Sequence, residues 1–207
     1  MLDYDLTGRP MADDDEGCDT EKGGDARDPM LQKLLDSRTI VVSKPVTDDL
    51  ARGIIGQLFV LEQIDCDKPI TVIVNSPGGS ADSGFAIHDA LKFVKCPVRT
   101  ITMGICASAA VMIHLAAQKD QRFVTPNSRF LLHQPSMRTM GQASDIAIVS
   151  AEIDRMKTQY NQIVSDTTGR TLAEVDAAVH RDFWLTAQAG VEWGLASKIV
   201  NHRAEIE

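Results

Sequence analysis

The chain has 207 residues, 43% of them apolar, which is enough to bury one substantial core, and no apolar run reaches the length of a membrane span. The formal charge is −8 with no basic stripe, which argues against a nucleic-acid partner. The N-terminus is acidic and lacks both the features of a secretory signal and those of a mitochondrial transit peptide, so a cytoplasmic protein is expected. Cys18, Cys66, Cys96 and Cys106 lack metal-ligand spacing, so reduced thiols, and neither a metal nor an organic cofactor, are the expectation.

Most of the charge sits at one end. Residues 1–29 hold ten acidic and three basic side chains, seven of the eight surplus negative charges. With many glycines and almost no apolar pattern, this segment reads as a disordered tail, with a pro-segment or axial-pore plug as the functional alternative. From residue 39 onward strands and helices alternate. A β-rich run at 39–43 precedes a helix at 48–64, with Leu50, Ile54, Leu58 and Leu61 on one face. Strands at 70–75 and 98–103 alternate with helices at 82–94 and 107–118, and short strands follow at 122–125 and 129–133. Repeated βα units imply right-handed crossovers and mostly parallel pairing, hence an α/β domain. The pattern fits both a doubly wound sheet and a superhelix of ββα units. A helix at 144–166 carries Ile146, Val149, Ile153, Met156, Tyr160 and Ile163 at steps of three and four. That stripe suits either the chain's own core or another subunit.

Chemistry concentrates at the strand-to-helix junction Gly104-Ile105-Cys106-Ala107-Ser108-Ala109-Ala110. A serine at a helix N-terminus can attack a carbonyl and find oxyanion donors in the adjacent amides. The alternative is an N-cap serine. Cys106 suits a buried packing residue better than a rival nucleophile. His133 ends an apolar strand before Pro135, and Asp182 precedes Phe183 and Trp184. A serine hydroxyl needs an imidazole to accept its proton, and the imidazole needs a carboxylate to fix its tautomer. Ser108, His133 and Asp182 supply that set in chain order, although, taken singly, His133 is more often a structural histidine and Asp182 more often a cap or surface ion-pair partner. Pro77-Gly78-Gly79 marks a turn, and its glycines also admit close backbone approach to a substrate.

Seven motifs carry a resemblance: Asn75-Ser76-Pro77-Gly78-Gly79, Gly104-x-x-Ala107-Ser108, Pro126-Asn127-Ser128-Arg129, His133-Gln134-Pro135, Gly141-Gln142-Ala143-Ser144-Asp145, Arg181-Asp182, and Val191-Glu192-Trp193-Gly194-Leu195. In this order, over about residues 39–200, they resemble ClpP, the proteolytic subunit of the Clp protease. The resemblance implies the crotonase-like α/β superhelix, a serine protease domain over 30–207 and a protruding handle over about 134–166. It implies Ser108 as nucleophile, His133 as base, Asp182 as orienting acid, and the Gly79 and Ala109 amides as oxyanion-hole donors. It further implies a homo-oligomer of heptameric rings, a double-ring tetradecamer joined through the handle, which degrades unfolded polypeptides alongside a Clp-type ATPase unfoldase.

Departures from the family accompany the matches. Ser136-Met137-Arg138 stands where relatives carry a glycine pair, and His180 where many have an acidic residue beside Arg181. Thr71 and Ile73 replace tyrosines of the pocket that accepts unfoldase loops, while Phe59 and Phe93 stay apolar there. Two other readings remain: a catalytically silent structural subunit of the same family, and a crotonase-fold acyl-CoA enzyme. The latter would use glycine-lined backbone donors but has no need of a serine, histidine and aspartate set.

Overall fold

The computed structural model describes residues 29–136 and 140–206. The acidic segment 1–28 with Cys18, and Met137 and Arg138 of the departure after Pro135, lie outside the described residues. Helix α1 (Pro29–Asp36) leads into strand β1 (Thr39–Val42). Helix α2 (Asp48–Ile64) starts where the Thr47 hydroxyl accepts the Leu50 N–H, with Asp48 and Asp49 against the positive end of the dipole. It buries Ala51, Ile54, Leu58 and Leu61, a three-and-four spacing, with Leu50 at the margin of the core. Burial of each large aliphatic side chain contributes roughly 1.5–3 kcal/mol.

Strand β2 (Ile70–Ser76) turns Ile70, Val72, Val74 and Ser76 inward, while Thr71 and Ile73 face the other side. Helix α3 (Ala81–Phe93), strand β3 (Val98–Ala107), helix α4 (Ala109–Leu115) and strand β4 (Arg122–Val124) continue the βα alternation. The sheet runs β1-β2-β3-β4, then β7 (Lys198–Ile199), all parallel. The first four strands keep chain order without reversing, and a doubly wound sheet requires a reversal. Right-handed crossovers that all step the same way put α2, α3 and α4 on one face, where Ile54, Ile87, Met112 and their neighbours form the main core. The opposite face holds a smaller cluster of Ile101, Phe123, Val200 and Ile206. Sheet order thus separates the two architectures that periodicity left open.

Strand β3 is longer than the expected 98–103, and its bend makes the site. At Gly104 (φ +94°) it changes partner: Thr100–Thr102 pair with β4, and Ile105–Ala107 pair with β5 (Arg129–Leu132). A Cβ at Gly104 would lie 2.6 Å from Asn75 Oδ1. The amides turned out of register are satisfied by side chains, Ile105 N–H by Asn75 Oδ1 at 3.1 Å and Gly104 N–H by Ser128 Oγ at 3.0 Å. The helix expected over 107–118 is accordingly shorter, Ala109–Leu115, because Ala107 is spent on the strand and Ser108 on the junction.

The long helix, α5, spans Ala143–Thr168, 26 residues and about 39 Å, and ends at the left-handed Gly169. Of the expected stripe only Met156 and Tyr160 are fully buried; Val149, Ile153 and Ile163 are half-covered, and Ile146 is 42% exposed. The N-terminal half, 143–155, has no buried residue and extends away from the core. Helix α6 (Leu172–Val179) opens with a Thr171–Glu174 capping box; β6 (Phe183–Thr186) and α7 (Ala187–Trp193) follow.

Candidate active site

Ser108 sits between the end of β3 and the start of α4 with φ +54° and ψ −123°, one of two described non-glycine residues at positive φ. Its backbone holds that conformation from both sides. Its N–H donates to Leu131 O at 2.9 Å, and its C=O accepts from Val111 N–H at 2.9 Å. The side chain makes no capping bond, so the ordinary N-cap role is not the one it plays. Non-glycine residues in such regions cost on the order of 1–3 kcal/mol and persist only where the surroundings over-determine them. Gly78 is part of those surroundings. It has φ +87°, and a Cβ there would lie 2.5 Å from Ala107 O and 2.7 Å from Ser108 Cβ.

Gly79 lies beside Val46 in a parallel bridge. Val46 N–H donates to Gly78 O at 2.9 Å and Val46 O accepts from Ser80 N–H at 2.8 Å, so the Gly79 N–H points away from that bridge. Ala109 opens α4, where the first amides have no intrahelical acceptor. Both residues line one cavity with Ser108.

The 49 residues between His133 and Asp182 are closed by strand register. β5 and β6 are antiparallel with Leu132 opposite Phe183, and one residue further on the same register puts His133 opposite Asp182. His133 Nδ1 lies 3.2 Å from Asp182 Oδ1. The pair is solvent-accessible, at 34% and 64% of the two side chains. His133 faces two spaces, the cavity of Ser108 and a shallower cleft shared with Asp182, His180 and Arg181. His180 follows α6 as its C-cap, exposed, with its carbonyl accepting from Gln134 Nε2. The structure therefore brings Gly79, Ser108, Ala109 and His133 onto one cavity and ties Asp182 to the far side of the imidazole.

That cavity encloses about 470 Å³. Its inner wall is apolar: Phe85, Met112, Ile153, Met156 and Tyr160, with Pro77 and Pro135 at its edges. Met156 and Tyr160 appear in the sequence only as members of a helical stripe, with nothing to mark them as cavity wall. Cys106, two residues before the serine, is fully buried, and burial pushes its thiol up to about 12. It stays protonated and is no rival nucleophile. Among the described residues no cluster of three or more metal-ligating side chains occurs, and no helix is long and apolar enough to cross a membrane.

Comparison with known proteins agrees across most of the chain. The Clp protease family model matches residues 22–203. The ATP-dependent Clp protease proteolytic subunit 2 of Treponema pallidum (strain Nichols) is 45% identical over 176 residues, covering 85% of this chain and 88% of that protein. Proteolytic subunit 2 of Pseudomonas aeruginosa is 41% identical over 189 residues, covering 89% and 94%. A solved structure of a ClpP1 mutant from Listeria monocytogenes superposes with a TM-score of 0.80 at 35% identity, covering 86% of this chain and 99% of that one. With its singly wound parallel sheet, its strained serine beside free helical amides, and these matches over more than four-fifths of its length, the chain belongs to the Clp protease family and is a ClpP-type serine endopeptidase.

Proposed function

We propose that Ser108, His133 and Asp182 act as nucleophile, base and orienting acid in hydrolysing peptide bonds of unfolded polypeptides. The observation that carries this reading is a strained, uncapped serine and a carboxylate-bound imidazole lining the same cavity. His133 Nε2 takes the Ser108 hydroxyl proton as Oγ bonds to the scissile carbonyl carbon. Negative charge on the carbonyl oxygen is met by the Gly79 and Ala109 amides, at the positive end of α4. The imidazolium then passes its proton to the departing amine as the C–N bond breaks, leaving an acyl-serine. Water, deprotonated by the same imidazole, hydrolyses the ester and restores the hydroxyl. The Asp182 carboxylate keeps the Nδ1 proton in place and stabilises the imidazolium; no metal or organic cofactor enters the cycle.

The same reading extends to assembly. We place the protein in a heptameric ring, two of which meet through the handle over about 134–166, so that only threaded, unfolded chains reach the chamber. The exposed apolar side chains of Ile146 and Ile148 support this, because the helix turns that carry them bury no residue in their own chain and are suited to a second copy. A Clp-type ATPase is the expected partner. Phe59 and Phe93 support it as an exposed aromatic pair with ring centroids 6.3 Å apart. We read the acidic segment 1–29 as an extension of a protease domain over 30–207, although the family match begins at residue 22, and the expected compartment is the cytoplasm.

A fluorophosphonate reagent tests the chemistry. Covalent labelling of Ser108 in the wild type, with loss of both labelling and peptidase activity by several orders of magnitude in Ser108→Ala, is the expected result. An unlabelled wild type would point to the catalytically silent subunit; near-normal cleavage by the mutant would overturn the assignment of Ser108.

A further inference from the structure

The inner wall of the active-site cavity is apolar, but its mouth is not. Asp82, in the first turn of α3 three residues after Gly79, is the one carboxylate among the residues lining it. It is exposed, and no hydrogen bond or ion pair engages it among the described residues. Arg155, the described cation that feels its field, does not neutralise it. Arg155 on α5 donates from Nε to both carboxylate oxygens of Glu152, at 2.9 and 3.1 Å. Those bonds raise the guanidinium pKa, and Asp82 adds only a weaker through-space attraction. Arg155 and Glu152 therefore cancel one another and leave the charge of Asp82 standing. A second carboxylate lies behind it: Asp48, at the start of α2, accepts from the Ser83 hydroxyl at 2.5 Å, one residue along from Asp82. Ser83 in turn meets the N-cap Ser80, which also lines the cavity, so α2 and α3 are tied together beneath the mouth.

We propose that Asp82 is a specificity-determining residue that selects polypeptide segments with a lysine or arginine close to the scissile bond, and disfavours segments with an acidic residue there. The inference rests on the proteolytic role of this cavity proposed above. An extended peptide whose scissile carbonyl approaches Ser108 and the Gly79 amide passes the first turn of α3 within a residue or two. A cation in that stretch gains the field of Asp82 and, behind it, of Asp48; a carboxylate meets like charge and the Asp82 side chain already seated at the mouth. The ordinary role of an aspartate at this position is to complement the dipole of α3. That role stabilises the helix but is indifferent to substrate charge, and this difference separates the two.

The test uses the full-length assembled protein and internally quenched peptides in which Lys, Gln or Glu occupies, in turn, each of the two positions on either side of the scissile bond. In the wild type, at one or more positions, kcat/KM for Lys exceeds that for Glu by roughly two- to five-fold, the range of an exposed charge pair, and the ratio shrinks as salt is added. Asp82→Asn brings the ratio close to one and Asp82→Lys inverts it; thermal unfolding of each variant reports any helix effect separately. A wild-type ratio of one at every position, or a ratio unchanged in Asp82→Asn, overturns the inference. If Ser108 takes up the fluorophosphonate and peptides are cleaved while the ratio ignores Asp82, the specificity role alone fails. If Ser108 is not labelled and no peptide is cleaved, the proteolytic reading fails and the inference falls with it.

Discussion

Ser108 combines two demands that a sequence motif cannot separate, a reactive hydroxyl and a backbone held at φ +54°. The second demand is independent of the first, and substitution can pull them apart. Ser108→Ala removes the hydroxyl and keeps the strain, so its stability should match the wild type. Ser108→Gly also removes the hydroxyl, but glycine populates positive φ freely. The glycine variant should be inactive and more stable by about 1 kcal/mol, the relieved strain less the greater unfolded-state entropy of glycine. Denaturant midpoints of the three proteins check this; a glycine variant less stable than the alanine one would mean that the backbone here is not strained. Gly78 shows the same pressure from the other side, since the serine Cβ occupies the space its own Cβ would need.

At the scale of elements, α5 divides into two halves with different work. The C-terminal half buries Met156, Tyr160 and Val164 and, together with Ile153 just before it, walls the cavity; the first turns of the N-terminal half leave Ile146 at 42% and Ile148 at 68% exposure. The stripe read from sequence treats Ile146 and Met156 as equivalent, and the structure separates them. Aspartate at Met156 would put a charge into the core and damage the cavity, so it cannot report on association. Ile146→Asp with Ile148→Asp costs little within the chain, because neither side chain is buried there. If the handle joins two rings, this double variant should keep its circular dichroism and melting behaviour but sediment as a single ring or smaller. An unchanged sedimentation coefficient would remove the handle from the interface.

For the whole molecule, acid stability depends on buried imidazoles. His114 is fully buried in α4, with Nδ1 3.2 Å from Thr102 Oγ1, and burial, assisted by the neighbouring Arg122, lowers its pKa from 6.5 to about 3. His88, bonded through Nδ1 to Met112 O, is lowered in the same direction, chiefly by burial. His114 is held neutral in the fold down to about pH 3 and protonates readily when unfolded, and the downward shift of His88 acts in the same direction. Between about pH 6.5 and 3 the unfolded chain therefore binds more protons than the folded one, and stability rises with pH across that window. Full stability is present above about pH 6.5 and is lost as pH falls, by up to about 1.4 kcal/mol per unit for each fully titrating site. His114→Gln removes one such site, so the slope of unfolding free energy against pH between about 4.5 and 6.5 should be shallower than in the wild type. Urea titrations at several pH values measure it, and parallel slopes would show that His114 is not the titrating group.

Sequence alone determined the features that depend on neighbours along the chain. The helix at 48–64 was legible because its apolar side chains repeat at the period of a helix, and the structure adds Thr47 as its cap. The order of strands and helices from β1 to α5, the seven motifs and the candidate residues Ser108, His133 and Asp182 were equally local, whereas α1, β6, α7 and β7 went unread. Only the tertiary structure decided what depends on register and approach. The direction of the sheet could not be read from alternation, since singly and doubly wound sheets share the same local pattern. The bend at Gly104 needs side chains from two distant segments, Asn75 and Ser128, to pair its displaced amides. His133 meets Asp182 because β5 and β6 pair in one antiparallel register, and a slip of one residue would turn them to opposite faces. Tyr160, Met156 and Asp82 become parts of one cavity only when α3 and α5 flank Ser108. Local periodicity records which face of an element is apolar, but not what that face will meet, because the meeting is fixed by chain segments that no short window contains.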